Sequence, residues 1–331
     1  MANRFPDLLK VLDRKKRIII QAHDYPDHDA VASGFSLLRL LESMNFSCGF
    51  CYNGEIQGFS VMGIIENLRI PLVAASALRI SGEEQLILVD GVAGNRNVTS
   101  ILEAPLVAII DHHQMPAKIP ACGFIDIRPD YGSCSTIIYQ YYLESLTEIP
   151  RDVATALLAG LMMDTAQMTR GVGPVDIAAF SGLFFTGEWE RAAYFLRNSL
   201  SLEDIPTLRH ALDRYYRHDR VCFVELTDSV RPELLGLISD YFLRLQEIHF
   251  VVTIATWEDT CRLSLRSEDP LLPADLIIGR VLKKLGGGGG GHPHMSGGTF
   301  PAARSPGGPE LRELFLSVIA DIGGSAAQGK W

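Results

Sequence analysis

Three short apolar runs punctuate the first half of the chain: 17–21 (RIIIQ), 85–89 (QLILV) and 105–110 (PLVAII). Unbroken apolar runs of this length read as strands buried on both faces of a parallel sheet. Between the first two, Val31, Phe35, Leu38 and Leu41 recur at the spacing of one helix face within 30–44. Further helices are expected at 135–146, at 152–162 behind Pro150, and at 174–186, which Pro174 opens and Gly187 closes. The alternation predicts an α/β domain, a parallel sheet with helices on both faces.

The pattern changes further on. Residues 188–217 read as helical with a break near 199–201, where Ser201 and Asp204 can cap a second helix. This segment is expected to connect a first domain, 1–187, to a second, 218–331. In the second domain 221–226, 249–257 and 261–266 read as strands, the last two joined by a tight turn. Helices are expected at 231–246, 273–285 and 309–322. That is a smaller α/β domain with a mixed sheet. The one low-complexity segment is the glycine run 286–291.

Length and composition fit this picture: 331 residues, 47% hydrophobic and 21% charged, are enough for two globular domains. The net charge of −9, with no basic run longer than Arg14-Lys15-Lys16-Arg17, argues against tight binding of duplex nucleic acid. The first residues carry no apolar signal core and no stretch suits a membrane span, so a cytoplasmic location is expected. Six cysteines include one CxxC, Cys48 to Cys51, without a second pair to complete a zinc site. Reduced thiols in a strand are the simpler reading.

Candidate chemistry gathers where the predicted elements end. His23-Asp24-Tyr25-Pro26-Asp27-His28-Asp29 follows the first strand, Asp90 ends the second, Asp111-His112-His113 ends the third, and Asp164 ends an apolar helix. Ligands of open parallel sheets bind beyond the carboxyl ends of the strands. Carboxylates and imidazoles without thiolates suit magnesium- or manganese-like ions. Packed together without cations, the carboxylates would repel one another. Taken singly, Asp90 is equally an ordinary helix cap and His23 a buried, hydrogen-bonded ring.

These segments resemble the DHH phosphoesterase family: HDYPDHDAVASG at 23–34, LILVD ending at Asp90, IIDHH at 109–113 and GLMMDT at 160–165. LSLRS at 263–267 and GGGGGGHPHMSGG at 286–298 resemble the DHH-associated C-terminal domain. Short two-domain members are the most similar: nano-RNases, phosphoadenosine-phosphate phosphatases and exopolyphosphatase-related proteins. The resemblance implies two divalent cations, manganese ahead of magnesium or cobalt. One would be held by His23, Asp27 and Asp90, the other by Asp29, Asp90, His112 and Asp164, with Asp90 bridging. Asp111 would orient its neighbours and His113 would face the scissile phosphate. Arg266, Ser267, Gly290, Gly291 and His292 would hold a phosphate or terminal nucleotide. The sequence departs from the family at Tyr25 (often Asn), at His28 (Gly or Pro), at Ala166-Gln167-Met168 (Gly-x-Phe) and at Met295-Ser296 (an alanine pair).

The implied reaction is hydrolysis of a short single-stranded oligonucleotide or linear dinucleotide to mononucleotides, by a hydroxide activated between two metals. The connector would let the second domain close over the substrate. Three readings compete with it: a phosphatase of small anions such as phosphoadenosine phosphate or polyphosphate, a non-catalytic nucleotide sensor, and a redox or zinc module on Cys48 and Cys51. The resemblance is compatible with a homodimer. For the glycine run the plain alternative is a flexible linker, and for Arg266 a surface salt bridge.

Overall fold

The computed structural model describes residues 3–56, 58–93, 98, 102–114, 119–197, 199–226 and 230–328, with side chains to 323 in the last helix. The chain forms two compact units that divide between Ser199 and Leu200.

In the first unit six parallel strands, β1 (Ile18–Gln21), β2 (Cys48–Tyr52), β3 (Leu72–Ala74), β4 (Gln85–Val89), β5 (Leu106–Asp111) and β6 (Phe124–Ile127), lie in the order β3-β2-β1-β4-β5-β6. Every residue of β1 and β4 is buried, as expected of central strands covered on both faces. The three apolar runs form β1, β4 and β5. The sequence reading missed β3 and β6, which are short and lie at the sheet edges.

The helices α1 (Phe5–Val11), α2 (His28–Ser43), α3 (Phe59–Leu68), α4 (Cys134–Ser145), α5 (Arg151–Asp164), α6 (Pro174–Thr186) and α7 (Trp189–Arg197) contribute to one core with Ile18, Ile20, Ile87, Val89 and Ile110. On the opposite face Ile19, Leu86, Leu88 and Ile109 pack against Ala75, Val92, Val98 and Leu102, from connections that carry no α-helix among the described residues. Helices on both faces were expected. Right-handed crossovers put α2 and α3, on the way outward from β1 to β3, on one face, and the connections from β4 to β6 on the other, where the described residues form no α-helix. The direction reverses between β1 and β4, which makes their carboxyl ends the crevice where such sheets bind ligands.

The segment 188–217 divides between the units. Ala192 and Phe195 of α7 join the first core, and Ala211 of α8 (Ile205–Asp213) joins a core of the second. Its last residues are not helical but form β7 (Tyr215–His218), because they pair antiparallel with β8 (Val221–Leu226).

The second unit is a mixed sheet in the order β11-β12-β10-β9-β8-β7, with β9 (Phe250–Trp257), β10 (Thr260–Ser267), β11 (Gly288–Gly291) and β12 (Met295–Pro301). Only β8 and β9 are parallel. Helix α9 (Pro232–Leu243) covers one face, and α10 (Ala274–Leu285) and α11 (Gly308–Gln328) cover the other. The glycine run, read as a loop or linker, supplies an edge strand. A Cβ on Gly289 would lie 2.2 Å from the Gly297 carbonyl oxygen, and one on Gly298 would lie 2.5 Å from Leu282 Cδ1. The two glycine segments face each other so closely over α10 that side chains are excluded at Gly289 and Gly298. No helix among the described residues is long and apolar enough to cross a membrane.

Candidate metal centre

The first unit gathers its predicted ligands at the β1–β4 crevice. His23 lies just beyond β1, and Asp27 caps α2, its Oδ1 accepting the Asp29 and Ala30 N–H groups at 3.0 Å each. The other carboxylate oxygen of Asp27 lies 3.9 Å from His23 Nε2. Asp90 follows β4 directly, in the left-handed region at φ 58°, a conformation Asp tolerates better than most residues. Asp164 is the last residue of α5. Three successive left-handed residues, Ala166, Gln167 and Met168, stop the chain there, and the Thr165 hydroxyl closes the turn on the Leu161 carbonyl.

The two expected sets of potential ligands are among the groups that result. His23, Asp27 and Asp90 form one, and Asp29, His112 and Asp164 the other; within each set the ligand atoms lie within 4.8 Å of one another. Asp90 faces both, its Oδ2 3.7 Å from His23 Nε2 and its Oδ1 3.5 Å from His112 Nε2. His112 Nε2 also lies 3.1 Å from Asp164 and 3.8 Å from Asp29. Its Nδ1 is 3.2 Å from the Tyr131 carbonyl, which fixes the ring from behind. Asp111, fully buried, accepts the His112 N–H, the His113 N–H and the His113 ring on one oxygen. It orients the two histidines. The His113 side chain, 28% exposed, reaches solvent.

The electrostatics make the centre costly without cations. Burial, then Asp164, pushes the Asp29 carboxyl up to about 7. Burial and neighbouring carboxylates also raise Asp90 and Asp164 well above the usual range. Burial lowers His23 below its ordinary value and His28 to about 4, which favours neutral rings. Burial would raise Asp111 too, but the His113 bond and the histidine charges outweigh it and hold it below its ordinary value. Asp90 Oδ1 and Asp111 Oδ2 are buried with no hydrogen-bond partner among the described residues. Orphaned carboxylate oxygens, crowded like charges and neutral imidazoles fit hard or borderline divalent cations.

The candidate substrate residues of the second unit present a different picture. Arg266 Nε donates to Asp240 Oδ1 at 2.9 Å, and the side chain is 14% exposed. The salt bridge posed as its plain alternative is therefore present. Ser267 is buried, its hydroxyl engaged with the Asp269 backbone, and does not offer that group at the surface. Gly290 and Gly291 lie in the exposed edge strand β11, and His292 opens the turn into β12. The thiols of Cys48 and Cys51 are pushed up to about 12 by burial, which disfavours the thiolates a redox or zinc module needs.

Two supports escaped the sequence reading, the buried Asp176 and the partly buried Arg128, and Gly160 was read only as the start of the GLMMDT segment. A Cβ on Gly160 would lie 2.4 Å from Ser135 Oγ and 3.0 Å from Asp29 Oδ1, so this helical glycine makes room for a ligand.

The family model of the DHH family N-terminal domain matches residues 17–161, and that of the DHHA1 domain matches 218–323. An uncharacterised protein of Methanocaldococcus jannaschii is 25% identical over 283 residues, 84% of this chain and 57% of its own length. A Lactococcus lactis protein named a probable manganese-dependent inorganic pyrophosphatase is 30% identical over 159 residues, 45% of this chain and 48% of its own. The chain thus spans about half the length of the curated relatives it matches. The crystal structure of an exopolyphosphatase-related protein from Bacteroides fragilis shares the fold, with a TM-score of 0.79 over 97% of both chains at 17% identity. With both domain models matched in order, the chain belongs to the DHH family, its N-terminal domain followed by a DHHA1 domain.

Proposed function

We propose that this chain is a metal-dependent phosphoric ester hydrolase. The observation that carries the reading is Asp90: one buried carboxylate, in a left-handed backbone, faces two ligand sets with an oxygen that has no hydrogen-bond partner among the described residues. His23, Asp27 and Asp90 would hold one divalent cation, and Asp29, Asp90, His112 and Asp164 a second. Such a pair supplies Lewis acidity to a phosphoryl oxygen and lowers the pKa of water toward neutrality. Manganese is the leading ion, since relatives that match 45% of the chain are named for it.

The chain's own residues take the remaining roles. Asp111 holds the His113 ring by Nδ1, leaving its half-open edge to face a phosphoryl or leaving-group oxygen. In the second unit Arg266 and His292, with the β11 backbone, would hold a terminal phosphate. The leading substrate is a short oligonucleotide or linear dinucleotide cut to mononucleotides. The likeness of part of the chain to proteins named as probable pyrophosphatases favours a second reading, hydrolysis of a small anion. The test is a panel with Mn²⁺: dinucleotide, phosphoadenosine phosphate, pyrophosphate and polyphosphate side by side. Turnover of the dinucleotide well ahead of the rest is expected. Turnover of a small anion alone selects the second reading, and none on any of them sinks the hydrolase.

A further inference from the structure

The segment 131–135 touches the second ligand set three times. The Tyr131 carbonyl accepts from His112 Nδ1 at 3.2 Å. The Cys134 and Ser135 N–H groups donate to the two oxygens of Asp29 at 2.6 and 2.8 Å. A cation ligand held from behind by backbone groups is only as well placed as the backbone itself. What holds this segment therefore sets the geometry of the second set.

Asp176, fully buried in the first turn of α6, is the main tie. Its carboxylate accepts the Gly132 N–H at 3.0 and 3.1 Å, the Thr136 hydroxyl at 2.7 Å and the Gly173 N–H at 2.8 Å. These bonds grip the segment on both sides of Cys134. There is no slack at the joint: a Cβ on Gly132 would lie 3.2 Å from Asp176 Cγ and 2.6 Å from Thr165 Cγ2. A second tie comes from Arg128, which is paired with Asp126 at 2.7 Å and donates to the Tyr131 hydroxyl at 3.1 Å. The first set is supported differently. Asp27 is oriented by the amides of its own helix, α2.

We infer that Asp176 is a positioning residue for the second cation, acting on Asp29 and His112 through the segment 131–135. The inference rests on the metal centre proposed above. Losing Asp176 then weakens one cation site and spares the other, an asymmetry that general destabilisation does not produce. The Asn side chain keeps the volume but cannot accept all four bonds at once, because one oxygen becomes a donor.

The experiment is a stepwise Mn²⁺ titration of the full chain, followed by calorimetry and by the EPR signal of free Mn²⁺. Asp176→Asn and the milder Thr136→Val are compared with Leu183→Ala, a cavity variant in the same helix. Asp176→Asn should raise the dissociation constant of one step about 10- to 100-fold, the range for loss of an outer-shell partner. The other step should stay within about threefold in both test variants, and Leu183→Ala should lower Tm without separating the steps. If Asp176→Asn does not fold, the same separation in Thr136→Val decides. Both steps weakening together, or neither, overturns the inference while leaving the metal centre standing. A parent protein that binds fewer than two ions overturns both.

Discussion

In the first unit the buried Asp29 and Asp90 crowd against the nearly buried Asp164, and Asp90 keeps an oxygen with no hydrogen-bond partner among the described residues. In the second unit the Arg266 guanidinium is already matched by Asp240, and the neighbouring surface is glycine backbone. One region stores unbalanced charge that a ligand must relieve; the other has balanced its charge and offers shape. Cation binding to the first gains whatever crowding the carboxylates cost. Anion binding to the second must compete with an existing ion pair, so its contribution is smaller and conditional.

Asp90→Asn breaks this contrast most sharply. Asn tolerates the left-handed backbone, so the fold should persist. Mn²⁺-dependent turnover should fall by more than the ~100-fold that loss of an outer-shell partner costs. The metal-free variant should also melt higher than the parent, because one of the mutually repelling carboxylates is gone. A variant within about tenfold of the parent rate contradicts the bridging role.

Next in size is Gly289→Ala, whose new methyl would meet the Gly297 carbonyl oxygen at 2.2 Å. It should cost ~1–3 kcal/mol or more by overpacking, measured by urea unfolding. Gly290→Ala, with no heavy atom within 4 Å of its Cβ, should stay within ~0.5 kcal/mol. Equal costs would show that the run is not packed as a strand.

Arg266→Ala sharpens the contrast from the other side. If the guanidinium reaches a phosphate in spite of Asp240, KM should rise about tenfold or more with kcat little changed, the size of a lost charged hydrogen bond. A fall in Tm with KM unmoved leaves Arg266 a structural ion pair.

The smallest effect is a proton count. Asp29, pushed up to about 7, holds its proton below that pH and has released it above. A bound cation displaces that proton, so the Asp29 share of proton release is present at pH 6 and lost by pH 8, and Mn²⁺ affinity rises across that window. Calorimetry in two buffers of different ionisation enthalpy measures it; release that does not decline over that range would contradict the shift.

Much of this was legible along the chain. The runs at β1, β4 and β5 were visible because central parallel strands are apolar on both faces, and α6 because Pro174 and Gly187 bound it. The edge strands β3 and β6 were not visible, since three or four residues carry too little periodicity. The glycine strand escaped because strand propensity is read from side chains, and its pairing depends on Gly297 and Gly298 across the sheet. Ser267 looked available but is buried under its own turn.

The sequence by itself determined which residue types stand at the ends of which elements, because strand and helix boundaries are set by local chemistry. Only the tertiary structure decided that Asp90 faces both ligand sets, that Gly160 leaves space for Asp29, and that Asp176, far along the chain, grips the segment behind His112. Those relations are between surfaces brought together by packing. Their side chains carry no pattern that spacing along one chain can reveal.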